Sequence, residues 1–180
     1  MLPSTWKHSL NLLLSRLKIE AIPSPRIAVV GVGNTLRSDD AAGILIARAL
    51  SDRQCARNEH LLILEGGQAP ENRTGELRRF APDLVLIIDA AEMSEEPGAI
   101  RFIPEEDIDG MSASTHSLPL SVLAHYLTLE LQCKVILLGI QPGSNEVGET
   151  ISVPVSQAVN EVVDSLDQSI CTRMSLSPEA

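Results

Sequence analysis

The chain has 180 residues, 44% of them hydrophobic, and its 14 Lys and Arg against 24 Asp and Glu leave a formal charge of −10. That length and apolar content suit one domain with a full core and exclude a disordered chain. The acid excess speaks against nucleic acid and anionic membrane surfaces as partners.

Four aromatic residues, Trp6, Phe80, Phe102 and Tyr126, are too few for base-stacking platforms or a sugar-binding shelf. No apolar run approaches the roughly 20 residues of a membrane span. Cys55, Cys133 and Cys171 form no C-x-x-C pair, which speaks against a thiolate zinc site or a disulfide framework and suits a reducing, cytoplasmic location. Lys7, His8, Arg16 and Lys18 interrupt the early apolar positions, unlike those of a signal peptide.

In chain order, Trp6, Leu10, Leu13, Leu14 and Leu17 share one face of a predicted helix over 4–19. It ends at the linker Pro23-Ser24-Pro25. Residues 1–25 therefore read as a helical appendage that packs on the domain or on a partner, 26–168 as the domain, and 169–180 as a flexible tail. The apolar run over 27–32 predicts a strand covered on both faces, broken by Gly31-Val32-Gly33-Asn34. A helix over 39–50 follows. Asp39 and Asp40 lie near its start, where free N–H groups and the helix dipole favour acids. A second strand over 61–64 closes at Glu65-Gly66-Gly67, a short helix covers 71–80, and a third strand over 84–88 ends at Asp89. The Pro97-Gly98 turn leads to a fourth, edge strand over 100–103. A helix over 119–131 precedes a fifth strand over 134–140, which Gln141-Pro142-Gly143 stops. The last helix carries the stripe Val155, Ala158, Val159, Val162, Val163 and Leu166, with Pro154 in its first turn. Apolar strands alternating with helices specify a parallel α/β sandwich with helices on both faces.

Ligands of such sheets sit beyond the carboxyl ends of the strands, where strand order reverses. The residues that follow strands are Asn34, Asp39 and Asp40; Glu65, Gly66 and Gly67; Asp89 and Glu92; and Gln141, while Ser114-Thr115-His116-Ser117 precedes the helix at 119. Gly31-x-Gly33 begins like a dinucleotide fingerprint, but Leu36 stands where the third glycine belongs, and no Gly-Lys-Ser/Thr exists. The acidic pair would also repel a phosphate. Asp40, Asp89 and His116 offer two carboxylates and one imidazole, a set that suits nickel, zinc or iron with positions left open. Taken singly, Asp40 reads as a helix-cap acid, Asp89 as a strand-end turn residue and His116 as a loop histidine. Their coincidence on one rim favours a metal. His60 and Cys133 fall at the opposite rim, His125 lies mid-helix, and no G-x-S-x-G elbow supports a serine hydrolase.

At these residues the sequence resembles the hydrogenase maturation endopeptidases, which process the C-terminus of the large subunit of nickel–iron hydrogenases. The resemblance covers about residues 27–166. It rests on Val30-Gly31-Val32-Gly33-Asn34 with Asp39-Asp40, on Glu65-Gly66-Gly67-Gln68-Ala69-Pro70-Glu71-Asn72, and on Ile88-Asp89-Ala90-Ala91. Pro97-Gly98, Thr115-His116-Ser117-Leu118-Pro119-Leu120 and Leu138-Gly139-Ile140-Gln141-Pro142 complete it. The blocks around Pro70 and His116 are most similar to the branch that serves formate-hydrogenlyase-type hydrogenases. Ala41 stands where the family often has glycine, and Glu65 where it commonly has Asp.

The resemblance implies a three-layer α/β/α sandwich whose five-stranded, mostly parallel sheet has one antiparallel edge strand. It implies an aspartic-type endopeptidase that removes a C-terminal extension from the large-subunit precursor after nickel insertion. Asp40, Asp89 and His116 map onto the family's metal ligands, and the nickel is that of the substrate, with zinc or cadmium able to substitute in vitro. Asp40 or Asp39 is the candidate general base on water. Gly66, Gly67, Glu65 and Gln141 are candidate substrate contacts. A non-catalytic nickel-binding chaperone of the same fold is the alternative that the sequence leaves open.

Overall fold

The computed structural model describes residues 5–19, 25–108 and 118–174. Ten regular elements follow in order: α1 (Thr5–Ile19), β1 (Ile27–Val32), α2 (Ala42–Ser51), β2 (Leu61–Gly67), α3 (Thr74–Phe80), β3 (Leu84–Ala90), β4 (Ile100–Pro104), α4 (Leu120–Leu131), β5 (Lys134–Ile140) and α5 (Val153–Met174). The strands form one sheet in the order β2-β1-β3-β5-β4. Three neighbouring pairs are parallel, and only β4 runs antiparallel, pairing Ile100 with Ile140 and Pro104 with Ile136.

Each central strand divides its side chains between two cores, as the two-residue period of a strand requires. Ile27 and Val29, Leu84, Leu86 and Ile88, and Ile136, Leu138 and Ile140 enter a cluster closed by α1, α2 and α5. Ala28, Val30 and Val32, Val85 and Ile87, and Val135 and Leu137 enter the cluster under α3 and α4. This is the expected three-layer sandwich. In α1, the spacing of Trp6, Leu10, Leu14 and Leu17 places all four in the first cluster, and the Trp6 Nε1–H donates to Glu161 on α5 at 3.3 Å.

Several element ends differ from the sequence reading. β2 continues through Glu65-Gly66-Gly67, because a register shift at Gly31/Val32 lets Val32 pair with Gly67. Asp39 and Asp40 lie in a separate 3-10 turn, Ser38–Ala41, ahead of α2. A second such turn, Pro70–Arg73, precedes α3. At the far end α5 runs to Met174 rather than stopping at 168, because Ile170 extends its buried stripe. Residues 175–180 of the expected tail lie outside the described residues. No described helix is long and apolar enough to cross a membrane.

Candidate functional site

From β1 the chain crosses by way of α2 to β2 on one side, and from β3 it proceeds to β5 on the other. Strand order therefore reverses between β1 and β3, and the crevice of this fold class opens beyond their carboxyl ends. The two strands deliver one acid each to that place. Asp89 is the penultimate residue of β3 and is 2% exposed. Asp40, 5% exposed, sits in the 3-10 turn after β1, and that turn packs against β3.

Glycines make this convergence sterically possible. A Cβ at Gly43 would stand 2.1 Å from the Ile88 carbonyl oxygen and 2.4 Å from that of Val32. One at Gly31 would stand 2.1 Å from the Gly43 carbonyl oxygen. The start of α2 thus rests directly on the ends of β1 and β3. Gly33, at φ 134, brings its Cα against the Asp40 carbonyl oxygen, which also accepts from the Asn34 N–H at 3.1 Å. Asp40 does not stand at a helix cap position: the cap residues of the 3-10 turn and of α2 are Arg37 and Ala41.

Asp39 has a different environment from its neighbour. It is fully buried, and its Oδ2 accepts from the Gly143 N–H (2.7 Å), the Ser144 N–H (3.0 Å) and the Ser152 hydroxyl (2.9 Å). Its Oδ1 accepts from the Ser152 N–H at 2.7 Å. Burial alone pushes this carboxyl up, but the N–H groups of Ser152, Ser144 and Gly143 and the Ser152 hydroxyl outweigh it and hold the group below its ordinary value. An ionised, enclosed carboxylate with four donors is poorly suited to take a proton from water.

Gln141, expected as a substrate contact, is engaged internally instead. Its Oε1 accepts from the N–H groups of Met93 (2.7 Å) and Glu95 (3.3 Å), and its Nε2 donates to Glu92 Oε2 and the Pro142 carbonyl. The amide's two donors and two acceptor positions are all used, so it clamps the chain leaving β3 to the end of β5. Glu65 faces α2, where its carboxylate pairs with Arg48 at 2.9 Å, both side chains about half exposed. Gly66 packs against Pro70 and Val30, whereas a Cβ at Gly67, at φ 63, would meet no described atom within 4 Å.

His116 lies outside the described residues. The chain re-enters at Leu118 and Leu120, which join the α3–α4 core cluster. Asp89 alternates with Val85 and Ile87 onto that same face of β3. Among the described residues no three His, Cys, Asp or Glu side chains form a metal-binding group. His60 precedes β2 at the opposite rim, where its carbonyl accepts from the Ile27 N–H. His125 is on the surface of α4, 3.2 Å from Glu105. Cys133 is buried, with its thiol pushed up to about 11 by desolvation.

Gly43, Ser144 and Ser152 were not singled out in the sequence, and Gly143 entered only as a strand stop. Ser152 lies 113 positions from Asp39, so no local spacing connects them.

The family model for hydrogenase maturation protease (HycI) matches residues 44–173. The hydrogenase 3 maturation protease of Escherichia coli K12 is 36% identical over 137 residues, 76% of this chain and 85% of that protein. The crystal structure of a [NiFe] hydrogenase maturation protease, HycI, from Thermococcus kodakarensis superposes with a TM-score of 0.77 at 30% identity, covering 88% of this chain and 99% of that one. The solution structure of the endopeptidase HycI from Escherichia coli gives a TM-score of 0.70 at 34% identity, covering 79% and 90%.

Proposed function

The chain belongs to the hydrogenase maturation protease family, and from that premise we propose that it removes the C-terminal extension of a nickel–iron hydrogenase large-subunit precursor once nickel is in place. The observation that carries the reading is the convergence of two buried acids, Asp40 in the turn after β1 and Asp89 at the end of β3, at the point where strand order reverses.

On this reading Asp40, Asp89 and His116 engage the nickel that the precursor already carries. Two carboxylates and an imidazole are suitable donors for such an ion. Leu118, two residues beyond His116, packs against the cluster that Val85 and Ile87 of β3 enter, which supports the inclusion of His116. A precursor without nickel offers no ion to engage, so cleavage waits for metal insertion. The nickel can also polarise the scissile carbonyl or lower the pKa of a water. Of the two acids considered as general base, Asp40 is the one we assign, because the hydrogen bonds of Asp39 occupy both its oxygens. No described atom lies within 4 Å of a Cβ placed on Gly67, which supports approach of an extended substrate segment there. The cytoplasm, a reducing compartment that the three widely spaced cysteines suit, is the proposed location.

The test is incubation of nickel-loaded and nickel-free precursor with the protein, followed by intact-mass measurement. Loss of the C-terminal extension from the nickel-loaded form alone is expected. Loss from both forms equally refutes the nickel requirement, and an unchanged mass in both refutes the peptidase reading for that precursor.

A further inference from the structure

Residues 141–152, between β5 and α5, contain no regular element. The hydrogen bonds that tie its residues 143–152 to the body converge on residues 36–39. The Ser38 hydroxyl donates to the Thr150 carbonyl (2.9 Å), the Gly148 N–H to the Leu36 carbonyl (2.9 Å), and the Asp39 N–H to the Ser144 carbonyl (3.1 Å). Arg37 and Val147 form an isolated antiparallel bridge. The Asp39 carboxylate adds its four acceptor contacts at Gly143, Ser144 and Ser152. Ser38 meanwhile holds φ at 26, a conformation that a non-glycine residue adopts only when its surroundings enforce it.

At its other end the same segment starts with Gln141, whose side chain grips Met93 and Glu95 on the path leading out from Asp89. The segment is therefore bonded to both acid-bearing stretches: to the β3 exit through Gln141 and to the Asp40 turn through Asp39. A hydrogen bond that one donor loses here has no water to replace it, since Asp39 has no exposed surface.

We propose that Asp39 is a positioning residue: by fastening residues 143–152 to the 3-10 turn, it holds Asp40 at the spacing from Asp89 that recognition of the precursor's nickel requires. The inference rests on the functional reading above and adds to it the device that sets the geometry. Asp39 itself touches neither metal nor substrate.

The experiment compares wild type, Asp39→Asn, Ser152→Ala and the double variant. Two quantities are read for each. The first is the ratio of Ki for nickel-free precursor, used as competitor, to KM for nickel-loaded precursor. Where a variant cleaves too slowly for a KM, its capacity to sequester loaded and unloaded precursor from wild-type enzyme supplies the same ratio. Partial unfolding lowers the amount of competent protein but leaves this ratio unchanged, so a merely structural lesion does not move it. The second is amide hydrogen exchange at Gly143, Ser144 and Ser152.

Asp39→Asn is expected to lower the nickel preference at least fivefold and to speed exchange at the three amides at least tenfold. Ser152→Ala is expected to move both in the same direction by less, and the double variant to be no worse than Asp39→Asn, because both act through one contact set. An Asp39→Asn enzyme that keeps the wild-type preference refutes the inference, as does a double variant whose losses multiply. Should Asp39→Asn fail to fold, Ser152→Ala alone decides, since a wild-type preference there also refutes it. Wild type without any nickel preference fails the functional reading instead, which keeps the two failures apart.

Discussion

Gly43→Ala adds one methyl group where α2 meets the ends of β1 and β3. The new Cβ would lie 2.1 Å from the Ile88 carbonyl oxygen, 2.4 Å from the Val32 carbonyl oxygen and 2.8 Å from the Val32 nitrogen. Real Cβ atoms essentially never come closer than 3.0 Å, and all three obstacles are backbone. No rotamer change relieves such a clash, so α2 must lift off the sheet. Overpacking of a core costs about 1–3 kcal/mol and sometimes more, and three backbone contacts place this site at roughly 3 kcal/mol or above. For a chain of this size each kcal/mol lowers Tm by about 2–4 °C, so a fall of about 6–12 °C is expected in a thermal scan. Ile88 immediately precedes Asp89, and Gly43 follows Asp40 by three residues. Cleavage of nickel-loaded precursor is therefore expected to fail even at temperatures where the variant is folded. Gly75→Ala is the internal control. Gly75 is helical and, among the described residues, its Cβ would meet only the Arg79 guanidinium at 3.8 Å, so that change is expected to stabilise by about 0.5–1 kcal/mol. A Gly43→Ala protein within about 1 kcal/mol of wild type in urea unfolding, with cleavage intact, would refute the claim that helix seating sets the acid geometry.

Three further outcomes follow from the same structure. Asp39 has a folded-state pKa below its ordinary value of 3.8. Its stabilisation is therefore fully present above about pH 4 and is lost as pH falls through the folded value. In urea unfolding between about pH 5 and pH 2, Asp39→Asn should show a shallower loss of stability than wild type. An equal loss would contradict the assignment. Cys133, buried with its thiol raised to about 11, should resist thiol-reactive reagents at pH 8 until the protein is unfolded, whereas rapid labelling of this residue in the native state would refute its burial. Leu14→Ala on α1 should cost about 2–5 kcal/mol in chemical denaturation, as a fully packed core leucine does; a change below about 1 kcal/mol would show α1 to be peripheral.

The sheet was readable from sequence because each strand contains a short, largely apolar run near Gly, Pro or Asp, and because the helices carry apolar stripes. The rim acids were readable for the same reason: Asp40 lies in the turn that follows β1 and Asp89 at the end of β3, and fold class alone says which end of a strand holds the site. The 3-10 turn at 38–41 was not distinguished from α2, since both favour acids near their start. Asp39 and Asp40 look alike in sequence, and only contacts with residues 143–152 separate a carboxylate saturated with donors from its neighbour. The internal bonds of Gln141 gave no sequence signal, because a polar residue at a strand end reads the same whether it faces a ligand or clamps the adjoining chain. Gly43 gave no signal, since its role depends on the approach of α2 to the backbone of two strands.

The central claim, that Asp40, Asp89 and His116 engage the nickel of the precursor, is tested most directly by nickel-dependent precursor binding to Asp40→Asn, Asp89→Asn and His116→Ala. Each variant is predicted to bind nickel-loaded precursor no more tightly than nickel-free precursor, with cleavage lost in parallel. Nickel-dependent binding retained in all three, while cleavage alone disappears, would contradict it.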